Sequence, residues 1–195
     1  SAIGDVNAYI GELKRYGVRR ALGATTAELE RLGDAVGLVA NADNSLTTYN
    51  AVVNNFDDIY PWSEMRNCKI ASNGTVVYEG DPDYDTASGD WMVEIPKFYI
   101  KHTHDGENVE YWVSAGGGEG YDQVDKFYVG RFKTSTDYTS EPNVLPAVSI
   151  HRRDFRTNSF AKGDGWQAMD LIHNYVLRVL FQVEFAHLDS QLILG

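Results

Sequence analysis

Seven residues carry the chemistry this sequence spells most plainly. Tyr84, Trp91, Tyr111, Trp112, Tyr121, Asp122 and Tyr138 sit in the polar or glycine-rich stretches "DPDYDTASGDW", "NVEYWVSA", "GGGEGYDQ" and "TSTDYTSEP". An aromatic ring offers a flat apolar face, and Tyr and Trp add a polar handle. With Asp, Asn or Gln nearby, such rings stack on a sugar and hydrogen-bond its hydroxyls. The expected chemistry is glycan binding without catalysis. Each ring taken singly reads more readily as core, and the loop-borne Tyr84, Tyr121 and Tyr138 are the stronger candidates.

Other chemistries find less support. Asp81, Asp83 and Asp85 alternate like the start of a calcium loop, but Thr86 stands where that loop needs Gly, and Met92 where it needs a bidentate Glu. A looser calcium site stays open. His102 and His104 share one face of a strand, yet two ligands do not complete a metal site. The run Gly116–Gly118 with Gly120 precedes a strand-like "YDQVDKFYVG" rather than the helix a phosphate cradle requires. There is no Gly-x-Ser-x-Gly nucleophile elbow. With 28 acidic residues some carboxylate pair is always available, so a glycosidase pair cannot be read from sequence. No metal, cofactor or catalytic residue is expected. The single cysteine, Cys68, reads as a small buried apolar residue.

The bulk properties narrow the class. At 195 residues and 43% hydrophobic, the chain can bury a sizeable core. A net charge of -11 argues against nucleic acid, which demands clustered Lys and Arg. The one basic cluster, "HRRDFR" at 151–156, reads as a local ion-pair network. No apolar run approaches the ~18–20 residues that span a bilayer, and the opening "SAIGDVNAYIGELK" lacks the pattern of a signal peptide.

The elements that must position these residues follow from periodicity. Ile3, Val6, Ile10 and Leu13 recur at three, four and three, the seam of a coiled coil, so residues 1–16 form a short helix and possible oligomerisation stalk ending at Gly17. The alternative is an amphipathic helix packed on its own domain. Thr25 or Thr26 with Glu28 predicts a helical turn. Residues 40–55 read as a loop rich in Asn, Asp, Ser and Thr. "CKIAS", Asn73-Gly74 and "TVVYEG" predict a hairpin with a type I′ turn. "WMVEIPKFYIKH" reads as one strand, with Pro96 at an edge or bulge. "NVEYWVSA" and "KFYVGRFK" read as two more. Asp164 is the expected N-cap of a helix of about two dozen residues, with Trp166, Met169, Ile172, Val176, Val179, Leu180 and Val183 on its buried stripe. Strands in the middle and helices at the ends predict an α+β domain over residues 17–195. In "DDIYPWSEMRNC", Pro61 holds Tyr60 extended so that Trp62 can enter the core, while Glu64 and Arg66 face outward or pair. That stretch reads as a structural corner.

The segment "FDDIYPWSEMRNCKIASNGTVVYEGDPDYDTASGDWMVEIPKFYIK", with the later "FYVGRFK", "LPAVSIHRRDFR" and "LFQVEFAHLDSQLILG", resembles a family of phage and prophage tail-fibre proteins. The blocks fall in the same order from about residue 56 to 195. That family looks related to the C-type-lectin-like fold of phage variable receptor-binding proteins and formylglycine-generating enzymes. The resemblance implies a virion protein of the phage tail that acts outside the cell, binds a bacterial surface glycan or protein receptor, and assembles with other tail proteins; the N-terminal helix would join its copies as a homotrimer. It implies no membrane insertion. With one cysteine, the copper chemistry of the formylglycine-generating enzymes is not implied. The ligand face of the variable binding proteins lies late in their chains, whereas this chain stops at Gly195. Two rival expectations are a structural virion connector or decoration protein, and a depolymerase of host polysaccharide.

Overall fold

Alternating apolar residues build the strands, and a computed structural model describes residues 13–42 and 52–194. The fold is α+β, with two antiparallel sheets and, among the described residues, three α-helices. The chain forms two compact units, each assembled from separate stretches: residues 1–63, 97–125 and 175–195 in the first, 64–96 and 126–174 in the second.

In the first unit the strands are β1 (Arg15–Ala21), β2 (Glu30–Gly33), β6 (Phe98–His104), β7 (Asn108–Ser114) and β8 (Asp122–Val124), in the order β2-β1-β7-β6-β8. Tyr16 pairs with Val113, and Ile100 with Val113, which puts Tyr16, Val18, Phe98 and Val113 on one face. All four are buried. The same core takes in Phe56 and Trp62, whose rings stand edge-to-face at 4.7 Å, with Tyr16 6.1 Å and 6.3 Å from them. Pro61 is fully buried and Trp62 is 8% exposed, so the Tyr-Pro-Trp stretch is the structural corner the sequence indicated. The Asn54 side chain accepts the Phe56 N–H at 3.0 Å and caps the short 3-10 turn Asn55–Asp58. The Tyr60 hydroxyl donates to the Lys97 carbonyl.

The second unit holds β3 (Arg66–Ile70), β4 (Val76–Tyr78), β5 (Asp90–Ile95) and β9 (Phe127–Gly130), in the order β4-β3-β5-β9. Cys68, Ile70 and Met92 form its core, with Val76, Tyr78, Tyr128 and Trp166 against them. Cys68 is 1% exposed and burial pushes its thiol up to about 11, so it packs and does not react. The helix α1 (Arg152–Ala161) belongs to this unit. The helix α2 (Leu171–Phe185) starts in the second unit and its residues from Tyr175 onward belong to the first, where Val176, Val179, Leu180 and Val183 are buried. A fully buried Val or Leu contributes about 1.5–3 kcal/mol each. Arg31 donates to the carbonyls of Val183 at 2.9 Å and Glu184 at 2.6 Å, satisfying the end of α2. The short α3 (Ser190–Leu194) follows.

Several expectations are corrected. Gly17 is no helix C-cap: it sits inside β1, and Arg15 and Tyr16 are strand as well. Ile3, Val6 and Ile10 lie outside the described residues, and Leu13 reaches the glycine loop, where a Cβ on Gly116 would stand 2.5 Å from its Cδ1. Thr26 does accept the Glu28 N–H, at 3.1 Å, but an extended segment follows instead of a helix. The Asn73-Gly74 hairpin is present with a different turn. Gly74 N–H bonds to Ala71 and Ala71 N–H to Thr75, and Gly74 takes φ 83° while Asn73 does not turn left-handed. Pro96 does not interrupt one strand; it separates β5 from β6, which belong to different sheets. The long helix begins at Leu171, not near Asp164. Gly163 and Gly165, at φ 135° and 85°, hold a turn there, and Trp166 and Met169 precede the helix. Asp170 supplies the capping oxygen, accepting the His173 N–H at 2.8 Å.

Candidate functional site

The side of the first sheet turned away from its core carries residues from four strands. Register aligns Gly17 and Arg19 of β1 with Trp112 and Glu110 of β7, and Lys101 and Thr103 of β6 with the same pair. Tyr99 and Gln123 continue this face across β6 and β8. The six-membered ring of Trp112 lies over two glycines. A Cβ at Gly17 would stand 2.5 Å from Trp112 Cε3, and one at Gly33 would stand 2.8 Å from Cζ3. Only glycine leaves room for an indole laid flat across β1 and β2.

Polar groups fix that ring. Trp112 Nε1–H donates to Glu110 Oε2 at 3.1 Å. Arg19 holds the other carboxylate oxygen, with Nε at 2.9 Å and Nη2 at 2.7 Å, and also reaches Glu30 at 3.4 Å. Partial burial works to raise the Glu110 carboxyl, but the bonds from Arg19 and Trp112 outweigh it and keep the group below the usual carboxylate range. Glu110 is therefore an anchored acceptor, ill-suited to donate a proton.

Tyr121 lies at the other end of this face, with the Arg15 guanidinium 5.4 Å and the Lys101 ammonium 5.7 Å from its ring centre. Lys101 also donates to the Glu119 carbonyl at 3.2 Å, and the Tyr99 hydroxyl to Gln123 Oε1 at 3.2 Å. The glycine loop packs on these residues, since a Cβ on Gly117 would stand 3.1 Å from the Tyr99 ring. Its role is close packing on aromatics.

Of the seven residues singled out in the sequence, Trp112 and Tyr121 share this face. Asp122 is exposed and pairs with Ile100, one register step off it. Tyr111 points to the core side, stacked on His102 at 5.2 Å and edge-on to Tyr175 at 6.4 Å. The remaining three belong to the second unit. Tyr84 is buried, and Tyr84 and Trp91 enclose the ammonium of Lys69 at 4.8 Å and 4.7 Å. Lys69 donates to the carbonyls of Tyr84 at 2.7 Å and Ala87 at 3.1 Å, tying the acidic loop to β3. Tyr138 packs edge-on against Phe155 at 5.6 Å, and its carbonyl accepts from Lys162, which pairs with Asp90 at 2.6 Å. These three rings are structural. The sequence missed Arg15, Arg19, Tyr99, Lys101, Glu110 and Gln123; strand alternation marks one face of each strand, but no local signal joins the faces.

Glu94 and Glu184 are strongly perturbed carboxyls elsewhere. In the second unit Glu94 accepts from Tyr78 at 2.5 Å and Tyr128 at 2.8 Å, and pairs with Arg66 at 3.1 Å and Lys126 at 3.3 Å. Burial would raise it, yet these four donors win and bring it down to about 2. In the first unit Glu184 is pushed up to about 7 by loss of hydration, aided by Asp57 and opposed by the Asn54 amide at 2.8 Å and by Arg31. Among the described residues no three His, Cys, Asp or Glu are grouped to hold a metal ion, and no helix is long and apolar enough to cross a membrane.

Compared with protein-family models, with curated proteins and with solved structures, the chain matches none.

Proposed function

We propose that this chain is a non-catalytic adhesion module of a phage tail, C-type-lectin-like in fold, that binds a bacterial surface glycan through the Trp112 face. The observation that carries the glycan reading is the Trp112 indole, laid flat on Gly17 and Gly33 and locked by Glu110. A rigid ring with one face against backbone stacks on a pyranose at little entropic cost. Arg19, Lys101, Tyr99 and Gln123 stand round it as hydrogen-bonding groups for hydroxyls. The tail-fibre setting and the bacterial host rest on the resemblance of the sequence blocks, and the homotrimer on the three-four-three spacing of Ile3, Val6, Ile10 and Leu13.

A structural virion connector draws on one observation: Leu145, Val148, Leu171 and Ile172 are exposed at 84%, 77%, 84% and 70%, surfaces that neighbouring subunits would cover. The depolymerase reading draws on Glu184, a carboxyl raised toward neutrality. Its environment is the core side of the first sheet, with Arg31 and Asn54, and not the Trp112 face.

The test is a glycan array probed with the full chain and with Trp112→Ala. The adhesion reading expects discrete binding by the wild type, weakened about thirtyfold in the variant, the ~2 kcal/mol of a central aromatic contact. A wild type that binds no glycan but co-assembles with tail proteins would support the connector instead.

A further inference from the structure

We propose that the second unit carries a separate subsite for the carboxylate of an acidic sugar, built by Arg152, Arg156 and Phe160. This deepens the glycan-binding reading and rests on it. The three residues follow at four-residue steps on α1, so they line one stripe of that helix. The stripe faces Gln167 and Met169 across a cavity of about 70 Å³. With Arg153 and Thr157 it also borders an open hollow of about 390 Å³.

The charge state makes this stripe unusual. In a chain of net charge -11, Arg152 and Arg156 form no ion pair among the described residues. Arg153 alone of the cluster is paired, to Asp154 at 3.2 Å. The ion-pair network expected of "HRRDFR" therefore accounts for one arginine of three. Two unpaired guanidiniums one helical turn apart present forked donors matched to a carboxylate.

The surroundings select among anions. Phe160 is 58% exposed and Met169 53% exposed, an apolar wall suited to the C–H face of a sugar ring. Gln167 and Thr157 can reach hydroxyls. Asp170 also lines the cavity, with its carboxylate engaged by the His173 backbone at 2.8 Å, His173 Nδ1 at 2.7 Å and Gln167 at 3.4 Å. A doubly charged phosphate would meet more repulsion from Asp170 than a singly charged carboxylate does. The ligand class is accordingly a uronic-acid unit of an acidic polysaccharide.

The experiment is an NMR titration of the full chain, following the arginine Nε–H and Gln167 amide signals, with methyl glucuronide, methyl glucoside and inorganic phosphate as separate probes. The expected result is movement of the Arg152 and Arg156 signals by the glucuronide alone, weakening as salt rises. Affinity should fall about tenfold or more in Arg152→Gln or Arg156→Gln. Both positions are exposed, so thermal melting should match the wild type, and the salt response of the wild type tests the subsite without any variant. Glucuronide that leaves these signals still overturns the inference, as does phosphate that moves them equally. If a neutral glycan perturbs Trp112 while glucuronide does nothing at the arginines, only the subsite falls; if neither ligand perturbs either place, the glycan reading falls with it.

Discussion

The Trp112 indole rests directly on Gly17, so close that a single methyl group at that position would stand 2.5 Å from the ring. The contact joins residues 95 positions apart, at directly paired sites of β1 and β7. A side chain at 17 must lift the ring or bend the strand. Gly17→Val is expected to destabilise the fold by about 1–3 kcal/mol, as overpacking does. It should also shift tryptophan emission to the red as the indole leaves the sheet. Thermal melting and fluorescence of the variant check both, and an unchanged spectrum would mean that the ring is not seated on Gly17.

Lys69 is buried, pairs with no carboxylate among the described residues, and is held by carbonyls and two rings. Lys69→Met keeps the bulk and removes the donors. The carbonyls of Tyr84 and Ala87 then lose a partner, at a cost of about 2 kcal/mol. Because those bonds hold the acidic loop to β3, limited proteolysis should cut the variant within residues 79–89 before the wild type is touched.

Two glutamates predict opposite slopes of stability against pH. Glu94 is at about 2 when folded, below its ordinary 4.5. Its contribution is full above pH 4.5 and is lost as pH falls through 2. The shift corresponds to about 3 kcal/mol. Glu94→Gln should therefore melt lower at neutral pH and show a shallower acid-side decline than the wild type.

Glu184 lies at about 7 when folded, above the same ordinary value. Its favourable contribution is full below pH 4.5 and is lost as pH rises through 7. Glu184→Gln removes the burial of charge, so it should stabilise the protein above pH 7 by about 1–3 kcal/mol and do little below pH 4.5. Melting curves from pH 2 to 9 for the wild type and both variants separate the two effects. A Glu184→Gln curve parallel to the wild type would show that Glu184 titrates normally.

Much of the α+β character was legible because it is local. Alternation marked β3, β5, β6, β7 and β9, Asn73-Gly74 marked a hairpin, and the stripe from Val176 to Val183 marked α2. The misses are also physical. α1 presents Phe155 and Phe160 among charged and polar residues, too few apolar positions for a helical stripe. Pro96 looked like a bulge because nothing local tells which sheet a strand joins. The site was half legible for the same reason. Trp112 and Tyr121 announced themselves by type, but Arg19 meets Glu110 across 91 residues through a strand register that no short stretch encodes. Tyr84, Trp91 and Tyr138 had the composition of a binding loop and proved to be packing around Lys69 and Phe155.

The most direct test of the proposed glycan face is a heteronuclear NMR spectrum of the four tryptophan indole N–H groups, recorded as the best array glycan is added to the full chain. Glycan stacking on Trp112 predicts that its indole signal moves in proportion to occupancy while those of Trp62, Trp91 and Trp166 stay in place. A saturable binding isotherm with the Trp112 signal unmoved would contradict the proposed face.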